Sequence, residues 1–177
     1  VMRVSFSGEL AYEIHVPNQS LMAAYTALRN AGEAHGMSFF GSRAVEAMRL
    51  EMGFMHWKSE LITEFGPYET GLERFVSMDK AFIGKEALVA HEPKVQLVSL
   101  TLETKEAPAH GGASVMLDGR VVGTVTTGAW GHRVGANIAL AFVERGLDQE
   151  GQSLSVDVLG KVVQATVAPM RRLEGAH

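Results

Sequence analysis

The chain has 177 residues, 46% of them hydrophobic and 20% charged, which predicts one or two small globular domains and excludes disordered and fibrous classes. It has no cysteine, which excludes disulfide scaffolds, thiolate metal sites and thiol nucleophiles and fits a reducing, cytoplasmic setting. Sixteen Lys and Arg against 20 Asp and Glu leave a net charge of −4, so no overall field attracts nucleic acid, and no apolar run approaches the ~18 residues of a membrane helix.

The first part alternates strands and helices. Residues 2–6 and 11–16 are β-rich runs separated by Ser7-Gly8-Glu9. Because Val1 to Phe6 already reads as a strand, the chain is expected to begin inside a larger protein. A helix follows Pro17, with Asn18 or Ser20 as N-cap, Leu21, Ala24, Tyr25 and Leu28 at helical spacing, and Gly36 at its end. A second helix is predicted over Ser42–Met52, with Val45, Met48 and Met52 on its apolar face, Arg43, Glu46 and Arg49 elsewhere, and Gly53 closing it. Residues 54–70 read as irregular. A short strand at Glu73–Ser77 and a helix at Gly84–Ala90 follow, the helix packing Ile83, Leu88 and Val89 inward.

After Pro93 the texture changes to six short strands: 95–103, 113–117, 121–126, 137–143, 153–158 and 162–168. Asp118-Gly119 predicts a type I′ hairpin, and the fourth run is apolar throughout. Six strands without a helix indicate a small antiparallel barrel or sandwich. The domain division is thus 1–93 and 94–172, with a tail at 173–177.

Two places carry candidate chemistry. Glu13 interrupts the apolar run AYEIHV. It is either a solvated residue of an edge strand or a buried carboxylate accepting paired N–H donors from a flat heterocycle. Gly53-Phe54-Met55-His56-Trp57 either lines a pocket for a planar ligand or plugs the core with one satisfied histidine. The seven histidines make no H-x-x-x-H pair, so no metal site is expected. No phosphate-binding loop is present.

Five strings take the reading further. Phe6-Ser7-Gly8-Glu9-Leu10-Ala11-Tyr12-Glu13-Ile14, Arg49-Leu50-Glu51-x-Gly53, Tyr68-Glu69-Thr70-Gly71-Leu72, Asp79-Lys80-x-Phe82-Ile83-Gly84-Lys85-Glu86-Ala87-Leu88 and Gly123-x-Val125-Thr126-Thr127-Gly128 stand in order from about residue 3 onward. Together they resemble the folate-binding aminomethyltransferase family, the glycine cleavage T-protein and its relatives. The resemblance implies an α+β fold: a partial ferredoxin-like, folate-binding segment followed by a small C-terminal antiparallel β-barrel. Met55-His56-Trp57 and Gly128-Ala129-Trp130-Gly131-His132 look like the dimethylglycine and sarcosine dehydrogenase branch, in which an FAD domain precedes a folate domain.

By that resemblance Glu13 binds the pterin ring of tetrahydrofolate, and Phe6 and Phe54 enclose it where relatives often carry Tyr. Trp57, His56 and Arg49 are further pocket-lining candidates. The family's catalytic aspartate and the FAD site lie outside this chain. The implied function is one-carbon transfer to tetrahydrofolate, making 5,10-methylene-tetrahydrofolate from an N-methyl amine, with the N-terminal part of the parent chain as partner. The isolated piece is expected to be inactive. The alternatives are a non-catalytic scaffold module of a dehydrogenase, or an aminomethyltransferase proper. The latter is disfavoured because Val45 replaces an arginine of the T-protein string, making a lipoyl carrier an unlikely partner.

Overall fold

The computed structural model describes residues 1–173, so most of the expected tail lies outside the described residues. Four helices precede six strands: α1 Leu21–Glu33, α2 Ser42–Glu51, α3 Pro67–Thr70, α4 Lys85–Ala90, then β1 Val95–Leu102, β2 Ser114–Leu117, β3 Arg120–Gly131, β4 Ala136–Glu144, β5 Ser153–Val158 and β6 Lys161–Ala168. The strands close into an antiparallel barrel in the order β1-β4-β3-β2-β5-β6, with β6 returning to β1. Closure leaves no free sheet edge. The α+β class and the C-terminal barrel therefore stand as the sequence predicts.

Local chemistry explains the strands. Asp118 and Gly119 join β2 to β3 with φ of 50° and 79°, and Leu159 and Gly160 join β5 to β6 with 55° and 83°. Paired positive φ values give the twist that a two-residue hairpin requires. Strand β4 does not alternate because both its faces are covered. Ala139, Ala141 and Val143 point into the barrel core, while Ile138, Leu140 and Phe142 meet a second cluster with Leu50 of α2 and Leu97 of β1. Phe65 stacks on Phe142 with ring centroids 3.8 Å apart. Helix and barrel thus share one strand as a common wall.

The N-terminal part departs from expectation. Residues 2–6 and 11–16 make a single bridge, Met2 with Glu13, and not a pair of strands. A lone two-stranded ribbon is marginal in water, and Met2, Val4, Tyr12 and Ile14 are all exposed. Glu73–Phe75 is a 3₁₀ turn. Ile83 and Val89 point outward and are exposed, so α4 does not bury the face predicted for it. Helix α1 has no buried residue, although Leu21, Met22, Tyr25 and Leu28 are apolar.

Helix α2 also turns a different face inward. Ala47, Arg49, Leu50 and Glu51 are buried, as is Met52 of the predicted face, whereas Val45 and Met48 of that face are half-buried. Hydrophobic spacing alone misplaces the face because two of its inward residues are charged and fully partnered. The helix ends as the sequence predicts, at Gly53 with φ 68°. Phe54 N–H reaches back to Arg49 O (2.9 Å) and Gly53 N–H to Leu50 O (3.1 Å), the paired bonds of a Schellman cap.

Candidate functional site

Three of the residues proposed from the sequence, Phe6, Phe54 and His56, gather at a fourth, the buried guanidinium of Arg49. Arg49 is fully buried at the last turn of α2. Its Nε donates to Glu46 Oε2 (2.9 Å), Nη1 to Phe54 O (2.8 Å) and Glu60 Oε2 (3.1 Å), and Nη2 to Thr127 Oγ1 (2.9 Å). Glu60 is equally buried and equally occupied. Its Oε2 also accepts the His56 backbone N–H (2.8 Å), and its Oε1 meets the hydroxyls of Thr126 and Thr127. A charge taken out of water needs such a full set of partners. The pair ties α2, the 54–60 segment and β3 into one unit.

Phe6 lies against this unit. Its ring centroid is 5.7 Å from Arg49 Cζ and 5.6 Å from the His56 ring. The first distance places the cation over an aromatic face, within reach of a cation–π attraction. Phe54 joins through its backbone, as donor and acceptor to Arg49. The structure therefore gathers Phe6, Arg49, Phe54 and His56 around one point.

Two candidates stand apart. Trp57 is 73% exposed and, among the described residues, makes a bridge to Leu61. Glu13 has an exposed side chain whose partner among the described residues is His15 Nε2 (3.1 Å). It is the solvated alternative that the sequence left open, with carboxylate oxygens accessible to an incoming donor. Along the same N-terminal segment, Arg3, Ser5, Gly8, Glu9 and Leu10 line an open hollow of about 420 Å³, to which neither Phe6 nor Glu13 contributes.

That loop is fixed to the barrel by residues that sequence reasoning missed. Glu51 is buried and accepts from Arg133 N (2.7 Å) and Arg133 Nε (2.5 Å), while Arg133 Nη1 reaches Glu9 Oε1 (2.5 Å). Gly8, at φ 84°, rests on Met52. A Cβ there would fall 2.4 Å from Met52 Cγ. Both Gly8-Glu9 and Glu51 belong to recognised strings, and the β3–β4 turn that carries Arg133 completes the link. Glu60 carried no sequence signal at all, being one carboxylate in an irregular stretch.

Two family models match the chain in succession: the GCVT N-terminal domain over residues 1–80 and the glycine cleavage T-protein C-terminal barrel domain over 96–172. The chain belongs to the glycine cleavage T-protein family. It is 37% identical to human mitochondrial dimethylglycine dehydrogenase over 171 residues, covering 94% of this chain and 20% of that protein. It is 32% identical to an aminomethyltransferase of Saccharopolyspora erythraea, covering 95% of this chain and 47% of the relative. Among solved structures, aminomethyltransferase T of Bartonella henselae superposes with a TM-score of 0.86 at 24% identity, over 98% of this chain and 49% of the other, a likeness of fold. The T-protein-family chain described here thus spans about a fifth of its dehydrogenase relative and about half of the transferases. It is an aminomethyltransferase-type domain, related to both groups.

Proposed function

We propose that this chain forms part of a tetrahydrofolate-dependent one-carbon transfer domain within an FAD-dependent N-methyl amine dehydrogenase of the dimethylglycine or sarcosine type. The observation that carries the reading is the 37% identity to dimethylglycine dehydrogenase across 94% of the chain, which spans both the site loop and the barrel. The local chemistry fits. Glu13 presents an exposed, acceptor-only carboxylate that suits the amino and ring N–H donors of a pterin, and a charged acceptor strengthens each such bond. Phe6 offers an apolar ring backed by Arg49 and His56.

Tetrahydrofolate held there would supply a nucleophilic nitrogen able to accept a one-carbon unit. The chain's own part is positioning. In this reading Glu13 would accept the pterin's N–H donors and Phe6 and Phe54 would offer it apolar surface, while Arg49, held by Glu60, backs the Phe6 ring. Holding reactants in register lowers the barrier through entropy paid on binding.

Folate titration of the full-length parent tests this. Glu13→Ala is expected to weaken folate binding at least about tenfold, the scale of a lost charged hydrogen bond. Equal affinity in wild type and variant favours the other reading, a scaffold module, for which the observation is the run of exposed apolar residues along 1–40. The 177-residue chain alone is expected to bind folate weakly and to form no methylene-folate.

A further inference from the structure

A second cavity, of about 580 Å³, opens between α2, the 108–111 loop and the bulged part of β3. Neither Glu13 nor Phe6 lines it. Its size falls within the range of small-ligand sites. Pro108, Ala129 and Trp130 provide apolar wall, and Arg43, His110 and His132 stand at its rim. None of these three side chains has a hydrogen-bond or ion-pair partner among the described residues. The only lining carboxylate among the described residues is Glu46, and Arg49 already holds it at 2.9 Å. Open donors therefore face the cavity without an unpaired acid to answer them.

The walls are pre-formed. The buried Asn137 side chain donates to Thr104 O (2.7 Å) and Ala107 O (3.2 Å), fixing the approach to the loop. Gly128 lies so close to the loop that a Cβ would sit 2.2 Å from Ala109 O. Gly112 N–H bonds to Val125 O (2.9 Å). A concave site with an indole wall, a guanidinium without a partner among the described residues and two imidazoles that can each donate an N–H suits a ligand with a flat ring and a negative group. Either neutral tautomer of each imidazole still offers one N–H to that group, and the arginine adds a charged fork.

We propose that this cavity is a binding site for an aromatic carboxylate, its ring against Trp130 and its carboxylate at Arg43 with His110 and His132. The proposal stands apart from the folate reading, because the two sites share no proposed ligand contact.

Hippurate, which carries one ring and one carboxylate, is a suitable probe for the 177-residue chain, with benzyl alcohol and acetate as its neutral and ringless counterparts. Calorimetry gives affinity, and Trp130 fluorescence in a Trp57→Phe background reports the location. Hippurate is expected to bind and to perturb Trp130, with each counterpart at least about tenfold weaker. Arg43→Met is expected to weaken hippurate about tenfold or more, the scale of a lost charge-assisted bond. His132→Leu is expected to weaken it less, with unchanged melting in both variants. Equal affinity for benzyl alcohol, equal affinity in Arg43→Met, or binding without a Trp130 signal each overturns the proposal.

Discussion

Thr126 and Thr127 are neighbours in β3, yet both hydroxyls meet the same carboxylate oxygen, Glu60 Oε1. In a regular strand, consecutive side chains point to opposite faces. Here the register with β4 shifts between Val125 and Thr127, and the bulge turns both threonines to one side. The irregularity is what lets one buried acid take two hydroxyls, a backbone N–H and an arginine. It also gives a physical reason for two adjacent threonines in the barrel string.

The buried pair dictates an asymmetric mutational response. Arg49→Met or Glu60→Leu alone strands an uncompensated charge and is expected to cost about 3–5 kcal/mol. The double variant is expected to recover much of that loss. Thr126→Val removes a single hydroxyl contact and is expected to cost about 1 kcal/mol. Denaturant melts of the four variants check the pattern, and additive losses in the double variant would contradict it.

Gly128 is required for lack of space. A side chain there collides with the Ala109 carbonyl, a backbone atom unable to swing away. Gly128→Ala is expected to lose about 1–3 kcal/mol. Gly119→Ala meets nothing within 4 Å and is strained only by its φ of 79°, so crystallographic comparison should find the 108–111 loop displaced in the first variant and in place in the second.

Glu69 makes stability depend on acid. Burial tends to raise its carboxyl, but the hydrogen bond from His91, backbone bonds at Glu69 and Gly66, and the nearby imidazole charge outweigh it and hold the group below its ordinary 4.5. The group is thus more acidic folded than unfolded. Its stabilisation is complete above the ordinary value and disappears as pH falls through the depressed one. Melting temperature is expected to drop more steeply below about pH 4.5 in wild type than in Glu69→Gln. Parallel profiles would refute the assignment.

Helix α1 buries no side chain, and short helices are marginal without tertiary packing. In the 177-residue chain its amides are expected to exchange hydrogen orders of magnitude faster than those of β4, whose seven central residues are buried. Similar protection in both elements would disprove this.

Arg133 joins Glu51 to Glu9 and so connects the barrel to the loop that carries Phe6. Arg133→Met takes the cation from the buried Glu51 carboxylate, which keeps only backbone N–H donors, and is expected to cost about 1–3 kcal/mol or more, most of it from Glu51 and little from the half-exposed Glu9 contact. Faster exchange at Gly8 and Glu9 is the local signature to measure, and it should be absent in Lys161→Met, a fully exposed pair on the far hairpin.

The sequence by itself determined the barrel, its hairpins, the ends of α2 and the family. These rest on local rules, such as paired positive φ at Asp118-Gly119 or the left-handed Gly53, that act over a few residues. The resemblance grouped Glu13, Phe6 and Phe54, with Trp57, His56 and Arg49 as further candidates, and of these the fold brings Phe6, Phe54, His56 and Arg49 together while Glu13 and Trp57 stay exposed and apart. Tertiary structure alone decided that Arg49 is sealed in the interior, that its counter-charge is Glu60, and that α2 turns Leu50 and Glu51 inward. The reason is that burial of a charge depends on which partners reach it from distant segments, here β3 across 78 positions to Thr127. No periodicity within a helix encodes that meeting. The strands expected at 2–6 and 11–16 went the same way: an alternating pattern permits a strand, and only a neighbour to pair with makes one.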